Sequence, residues 1–203
     1  MPALEALQDR FSACNTQTFG ISIDSVYCHA NWAASLGGVS YPLLSDFNPK
    51  GAVADSFGLY LSAAGITDRA TVIIDANGVV QHVSSVTPAG KRDIAALAEL
   101  CEGVDKAYGK PLPGSKKPAG VSGEMLLYVK NGCPFSRAAL NARVNLHLES
   151  VIKPRFIDED ESALAALEKL TGKKQVPCLV TDGVPMHESG DIVAKLATAV
   201  TGF

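Results

Sequence analysis

Cys133 stands where a predicted strand gives way to a helix, in the run Tyr-Val-Lys-Asn-Gly-Cys-Pro-Phe-Ser over residues 128–136. Pro134 suits the first helical turn, because the N–H that proline lacks has no partner there in any case. The Cys133 sulfur is therefore predicted to lie beside unpaired N–H groups at the positive end of the helix. This placement favours a thiolate, the attacking species in disulfide exchange, and Lys130 adds positive charge. The alternative interpretation is a packed cysteine at a strand end.

The other four cysteines carry weaker signals. An odd count of five in 203 residues predicts packed, catalytic or metal-bound thiols rather than a framework of disulfides. Cys101 shares an apolar helix face with Ile94, Leu97 and Ala98 and is predicted to lie in the core. Cys178 follows a proline directly and is either a resolving thiol or a packed strand residue. No motif supports catalysis by Cys14 or Cys28, and the four histidines show no metal-ligand spacing.

The elements that position Cys133 alternate regularly over residues 124–203. Strands are predicted at 125–130, 153–158, 178–180 and 185–187, and helices at 134–149, at 161–171 and from about 190. Ile192, Leu196 and Val200, for example, recur at helical spacing. The order βαβαββα predicts a small mixed sheet with helices on both faces.

The first part, residues 1–109, has a related order. Helices are predicted at 3–14, 26–36, 51–57 and 91–107, and strands at 18–24, 70–75 and 79–85. This order, αβααββα, is the second pattern without its first strand. Residues 110–123 contain three prolines, three glycines and three lysines and are predicted to be a linker. The predicted fold class is therefore α/β, with two related units in tandem.

Composition excludes several classes of protein. With 47% hydrophobic and 19% charged residues the chain is not generally disordered, and a net charge of -3 argues against nucleic-acid binding. Apolar runs are strand-sized, and the N-terminus lacks the pattern of a signal peptide. We therefore expect a cytoplasmic protein without a membrane partner.

Three motifs of the second part match a known family: Cys133-Pro134-Phe135-Ser136, Gln175-Val176-Pro177 and His187-Glu188-Ser189-Gly190-Asp191. Residues 124–203 resemble a glutaredoxin, with some similarity to the N-terminal domain of glutathione transferases. The resemblance implies a thioredoxin-like fold, a cis peptide bond at Pro177 and glutathione as co-substrate, with no tightly bound cofactor. The glutathione-binding residues that it implies are Lys130, Pro134, Val176, Pro177, Ser189, Gly190 and Asp191.

Ser136 stands where dithiol members of that family carry a second cysteine. Because a hydroxyl cannot resolve a mixed disulfide, the resemblance implies a monothiol route, in which Cys133 attacks the glutathione sulfur of a glutathionylated substrate. A second glutathione would then release it. An iron–sulfur carrier is a further possibility, although the relatives that bind a cluster usually have glycine at the position of Pro134.

The first part resembles a peroxiredoxin of the AhpC/TSA type from residue 3 to about 107. The matching runs are residues 19–24, 41–46, 51–54 and 68–75. Arg69 matches the arginine that stabilises the peroxidatic thiolate in that family and polarises the peroxide. The alternative interpretation of Arg69 is a salt-bridged arginine at a strand end.

The peroxidatic cysteine of that family aligns immediately before Met1, in a motif upstream of the first helix. The central strand that leads to this cysteine is also expected to be missing, which would leave strand 18–24 without a neighbour. Unpaired buried backbone groups cost roughly 1–3 kcal/mol each. We therefore expect this half to fold poorly or to borrow a strand from another chain, and a late start or a truncated gene to be the reason.

The leading functional hypothesis is a glutathione-dependent thiol–disulfide oxidoreductase. It would be coupled to a peroxiredoxin-type domain that reduces peroxides only if the upstream cysteine is present. The alternative is that the first part is a non-catalytic oligomerisation or docking module for a separate peroxiredoxin. The expected partners are glutathione, glutathionylated or disulfide substrates, peroxides, and further copies of this chain that associate through the first part.

Overall fold

The structure is a computed structural model that describes residues 1–112 and 118–201. The chain divides into two compact units, of which the first contains Met1–His29 and the chain from Tyr41 to the linker. The second unit contains Ala30–Ser40 and the chain that follows the linker. Residues 113–117, in the middle of the predicted linker, lie outside the described residues.

Helices and short strands alternate over residues 1–108. In chain order they are α1 (Pro2–Glu5), α2 (Gln8–Ala13), β1 (Gly20–Ser22), α3 (Val26–Ser35), β2 (Leu43–Ser45), α4 (Ala52–Ser56), β3 (Tyr60–Leu61), β4 (Ile66–Thr67), β5 (Ala70–Ile74), β6 (Val80–Ser85) and α5 (Ile94–Tyr108). The predicted helix over 3–14 is divided in two, because Leu7 leaves the helical conformation and its carbonyl then accepts the first hydrogen bonds of α2. The helices and strands predicted over 18–107 are otherwise confirmed, and β2, β3 and β4 were not predicted.

The strands of the first unit form separate pairs. β1 pairs in parallel with β2, from Gly20 opposite Leu43 to Ser22 opposite Ser45, and β5 pairs antiparallel with β6. The prediction that strand 18–24 has no neighbour is therefore wrong. Backbone N–H and C=O groups need partners, and the chain at 43–45 supplies them. Among the described residues, no strand joins the β1–β2 pair to the β5–β6 pair.

The core of the first unit lies between α2, α5 and the β5–β6 pair. It consists of Phe11, Cys14, Ile73, Ala98 and Cys101. The predicted core position of Cys101 is confirmed. The first unit thus packs a small core of its own around the helices that flank its hairpin.

The second unit contains a complete mixed sheet. Its elements are β7 (Met125–Val129), α6 (Pro134–Asn145), β8 (Ile152–Phe156), α7 (Glu161–Thr171), β9 (Cys178–Thr181), β10 (Val184–Met186) and α8 (Ser189–Thr201). The strand order is β10-β9-β7-β8, with β8 parallel to β7 and both other pairings antiparallel. The predicted order βαβαββα is confirmed.

Each face of this sheet is buried by a different set of helices. Leu127, Ile152 and Leu179 are fully buried in one cluster with Ile192 and other residues of α6 and α8. The opposite face is covered by Ala163 and Leu167 of α7, among others. The prediction of helices on both faces of the sheet is therefore confirmed.

The described part of the chain contains no helix long and apolar enough to cross a bilayer.

Candidate functional site

Cys133 is the N-cap residue of α6. Its backbone is extended (φ −82°, ψ 119°), and Pro134 occupies the first helical position. The Ser136 N–H donates to the Cys133 sulfur at 3.5 Å, and the Arg137 N–H donates to the Cys133 carbonyl at 2.9 Å. The sulfur thus takes the place of the side-chain oxygen in an ordinary N-cap. The predicted position at the positive end of a helix is confirmed.

Opposing influences act on the protonation of this thiol. Burial raises the pKa of Cys133, whereas hydrogen bonds from the Ser136 side chain and from the N–H groups of Ser136 and Phe135 lower it. The charge of Lys130 also lowers it. The net effect is a pKa below that of an ordinary cysteine, so more of the thiol is ionised near neutral pH. Because the Cys133 side chain is only half-buried, the thiolate can reach a substrate and attack it.

Ser136 is completely buried beside Cys133. Its hydroxyl accepts a hydrogen bond from the Lys130 N–H at 3.2 Å and donates to the Cys133 sulfur. A hydroxyl has one hydrogen to donate and lone pairs to accept, so it can make both contacts at once. Ser136 therefore joins the loop before Cys133 to the sulfur itself, a contact that the sequence did not reveal.

Two acidic side chains hold the loop that precedes Cys133. The Asn131 N–H donates to both carboxylate oxygens of Asp158, at 3.2 and 3.1 Å. The Asn131 side-chain amide donates to Glu159 Oε1 at 2.6 Å. Local sequence spacing does not reveal these contacts, because they join residues 27 and 28 positions apart.

The pairing of β7 with β9 brings the chain before Cys133 close to Pro177. Tyr128 is paired with Cys178, and the two strands run in opposite directions. The chain that leaves β7 and the chain that enters β9 therefore lie at the same end of the sheet. The Val176–Pro177 peptide bond is cis, as predicted, and Pro177 is buried.

The start of α8 reaches the same end of the sheet through β10. Met186 is paired with Leu179, so the residues after β10 lie beside those before β9. Gln175 Nε2 donates to Glu188 Oε1 at 2.8 Å and ties the two segments together. Ser189 then begins α8, whose first N–H groups have no acceptor within the helix.

The first turn of α8 is open to solvent. Gly190 and Asp191 are exposed, and a Cβ placed on Gly190 would meet no atom within 4 Å. A free helix N-terminus of this kind suits a carboxylate, and the Asp191 side chain adds an acceptor for an amine. The sheet end thus carries all the predicted residues of the second part: Lys130, Cys133, Pro134, Val176, Pro177, Ser189, Gly190 and Asp191.

Phe135, next to the nucleophile, is 63% exposed and is a candidate contact residue that the sequence analysis did not assign. An exposed aromatic ring beside a thiolate offers apolar surface to a bound substrate.

Cys178 is fully buried in the cluster around Tyr128, Leu167 and Val180. Burial raises the pKa of its thiol. Of the two interpretations offered by the sequence, the structure therefore favours the packed strand residue over the resolving thiol.

Positive groups gather in the first unit around Arg69, which directly precedes β5. Burial, then the charges of Arg92 and Arg69, lowers the pKa of the Met1 amino group. Burial, then the charge of Arg69, lowers the pKa of Arg92. Arg92 Nε is buried and has no hydrogen-bond partner among the described residues. Arg92 was missed by the sequence analysis, since it lies 23 positions from Arg69 in a loop without a motif.

The remaining cysteines of the first unit have other neighbours. The Cys28 thiol is exposed and contacts Asp24 Oδ1 at 3.9 Å, and Cys14 contacts Phe11 and Thr16. Among the described residues, no group of three or more His, Cys, Asp or Glu side chains is arranged to hold a metal ion.

Both parts of the chain match known families. Residues 1–83 match the AhpC/TSA family, and residues 127–202 match the N-terminal domain of glutathione S-transferases. The first part is therefore of the AhpC/TSA peroxiredoxin type, and the second is a thioredoxin-like domain of the glutathione S-transferase N-terminal type. The predicted fold class, α/β with two tandem thioredoxin-like units, is thereby confirmed.

Individual relatives are peroxide-metabolism proteins by name. The chloroplastic 2-Cys peroxiredoxin BAS1 of Arabidopsis thaliana is 34% identical over an alignment of 135 positions that covers 57% of this chain and 50% of that protein. Alkyl hydroperoxide reductase E of Mycobacterium tuberculosis is 33% identical over an alignment of 93 positions that covers 44% of this chain and 60% of that protein. The solved structure of Mycobacterium tuberculosis AhpC is 29% identical, with a TM-score of 0.48, over 52% of this chain and 60% of that one. The chain thus spans about half the length of the curated relatives it matches.

Proposed function

From a first part of the AhpC/TSA type and a thioredoxin-like second part, we propose that this chain is a glutathione-dependent thiol–disulfide oxidoreductase of the glutaredoxin kind. It acts by a monothiol route through Cys133. The observation that carries the proposal is the half-buried sulfur at the N-cap of α6, with its pKa lowered by the hydrogen bonds of Ser136, at the sheet end where Val176–Pro177 and the start of α8 also lie.

The reaction has two exchanges. In the first, the Cys133 thiolate attacks the glutathione sulfur of a mixed disulfide. The substrate thiolate leaves and takes up a proton, and Cys133 becomes joined to glutathione. In the second, a free glutathione thiolate attacks the glutathione sulfur that is bonded to Cys133. Glutathione disulfide leaves, and the Cys133 thiolate is regenerated. In each cycle one mixed disulfide and one glutathione thiol become one substrate thiol and one glutathione disulfide.

The residues around Cys133 have separate roles in this proposal. Ser136 stabilises the thiolate both as the attacking group and as the leaving group of the second exchange. The backbone of Val176, next to cis Pro177, binds the peptide backbone of glutathione. The N–H groups of Ser189 and Gly190 bind its γ-glutamyl carboxylate, Asp191 binds its amine, and Lys130 binds its other carboxylate.

For the first part, we propose that Arg69 and Arg92 form a cationic site for peroxide chemistry. A positive cluster of this kind stabilises a thiolate and polarises a peroxide. Cys14 and Cys101 lie in the core, and Cys28 contacts Asp24 instead. These 203 residues are therefore expected to have little peroxidase activity of their own. The second candidate function is a docking or oligomerisation module for a separate peroxiredoxin, and the small core of this part supports it.

One assay tests the main proposal. The full chain is supplied with glutathione and a mixed disulfide between glutathione and a peptide thiol, and the release of glutathione disulfide is followed. We expect turnover by the wild type and by C178S, and its loss in C133S. Equal turnover by C133S and the wild type would refute the proposal.

A further inference from the structure

Two thiols that the proposed reaction does not use lie together in the core of the first unit. Cys14, at the end of α2, is 6% exposed and Cys101, in the middle of α5, is 5% exposed. They belong to one cluster with Phe11, Ile73 and Ala98. Each is a free thiol in the structure.

One hydroxyl lies beside this pair. Thr16 Oγ1 lies 3.3 Å from the Cys14 sulfur. Burial raises the pKa of the Cys101 thiol, and the Thr16 side chain acts against that rise. The Cys14 thiol in addition reaches the Phe11 carbonyl at 3.2 Å. Cys14 and Cys101 therefore share the Thr16 side chain as a neighbour as well as the apolar cluster.

Polar contacts on both sides of this pair fix α2 against α5. The Arg10 guanidinium donates to Glu102 Oε2 at 3.1 Å, and the Asn15 amide donates to Asp105 Oδ1 at 2.9 Å. These contacts hold the backbone at residues 10–15 to the backbone at residues 102–105. The juxtaposition of Cys14 with Cys101 is therefore set by the register of the two helices.

We propose that Cys14 and Cys101 form a reversible disulfide when the protein meets a small-molecule disulfide such as glutathione disulfide. One thiolate attacks the oxidant, forms a mixed disulfide and releases a glutathione thiolate. The second thiolate attacks the protein sulfur of that mixed disulfide and releases the other glutathione. The two thiol protons pass to the two glutathione thiolates, so the protein loses two hydrogens and one glutathione disulfide becomes two glutathione thiols.

The short N-terminal helices provide the access that buried thiols need. α2 has six residues and α1 has four, and helices of this length depend on tertiary packing for their stability. Transient separation of α2 from α5 exposes the sulfurs to the oxidant, and the contacts between the two helices bring the sulfurs together again when the helices close. The bond, once formed, closes the chain between residues 14 and 101 and stabilises the first unit by restricting its unfolded state.

Peptide mapping of the full chain tests the proposal. Trypsin leaves Cys14 and Cys28 in one peptide, residues 11–50, and Cys101 in another, residues 93–106. The C28S variant therefore makes the assignment unique. After treatment with glutathione disulfide and blocking of free thiols, we expect the two peptides to be joined, and to separate on reduction.

Matched variants and an internal standard complete the test. C14S and C101S, each in the C28S background, should lose the joined peptides and the rise in denaturation midpoint that oxidation causes in C28S alone. Glutathionylation of Cys133 in the same sample shows that the oxidant has acted. Absence of the joined peptides in such a sample, or their appearance only between two chains, would overturn the proposal.

Discussion

Ser136 contacts the sulfur of Cys133 with two groups at once: its N–H donates at 3.5 Å, and its fully buried hydroxyl donates as well. The same hydroxyl accepts the Lys130 N–H at 3.2 Å, so the approach loop and the nucleophile share one side chain. An anionic sulfur in this position is stabilised without a second cysteine. The serine at this position thus stabilises the thiolate that the proposed monothiol route requires.

Replacing Ser136 with alanine should reduce the ionisation of Cys133. The variant removes the side-chain hydrogen bond that lowers the pKa of Cys133 and leaves the Lys130 N–H without an acceptor. We expect alkylation of Cys133 by iodoacetamide at neutral pH to slow several-fold and its pH profile to move upward. The exposed Ser150→Ala change is the control. An unchanged profile in S136A would show that the hydroxyl does not act on the sulfur.

Asp158 is expected to be a positioning residue. Asp158→Asn weakens the two contacts with the Asn131 N–H, because one carboxylate oxygen becomes an amide that cannot accept. Turnover should fall several-fold while the KM for glutathione changes little. The alkylation rate of Cys133 should follow a broader pH profile than in the wild type. Steady-state kinetics of D158N beside Glu161→Gln, an exposed carboxylate of α7, measure this. Equal kcat in both variants would contradict the assignment.

Asp191→Asn should affect glutathione binding more than the chemical step. The Asp191 carboxylate lies in the exposed first turn of α8, where it is proposed to bind the amine of glutathione. We expect the KM for glutathione to rise about tenfold, in line with the loss of a charge-assisted hydrogen bond, with kcat at saturation retained. Asp55→Asn, an exposed carboxylate of α4, is the matched change in the first unit. A fall in kcat at unchanged KM would place Asp191 elsewhere in the mechanism.

Asp160 makes the stability of the second unit depend on pH. Hydrogen bonds from Ser162, then from Arg155, hold the pKa of Asp160 well below its usual range. Since the pKa is depressed in the folded state, the stabilisation is fully present above the unfolded pKa of about 4 and is lost as the pH falls toward the folded value. D160N keeps an N-cap side chain but removes the charge.

Urea unfolding of D160N and the wild type at several pH values checks this. At neutral pH the variant should unfold at a lower urea midpoint than the wild type. The difference between the two midpoints should narrow as the pH falls below about 4. A difference in midpoint that stays constant on acidification would mean that the charge of Asp160 contributes nothing to stability.

Elements of the second unit were predictable because their determinants are local. Helix α7 spans Glu161–Thr171, as predicted. Asp160 caps its start, and Gly172, in a left-handed conformation (φ 69°), follows its last residue. The turn between β9 and β10 is also local: Asp182 and Gly183 both have positive φ and lie between the two predicted strands. Such signals lie within a few residues of the structure they specify.

The first unit was harder to predict because its strands are short. Strand β2 has three residues and no alternating pattern, so the partner of β1 could not be recognised from the sequence. Arg92 was missed for the same reason: its relation to Arg69 exists only after the chain between them has folded.

By itself, the sequence determined the chemistry available to this protein: one cysteine before a proline at a helix start, a Val-Pro peptide and a Ser-Gly-Asp turn. Tertiary structure alone decided how these are arranged. Strand register brings the three motifs to one end of a sheet, Asp158 and Glu159 hold the loop before Cys133, and packing against α7 places Cys178 in the core. The physical reason is that backbone pairing and burial act between residues far apart in the chain, whereas caps and turns act between neighbours.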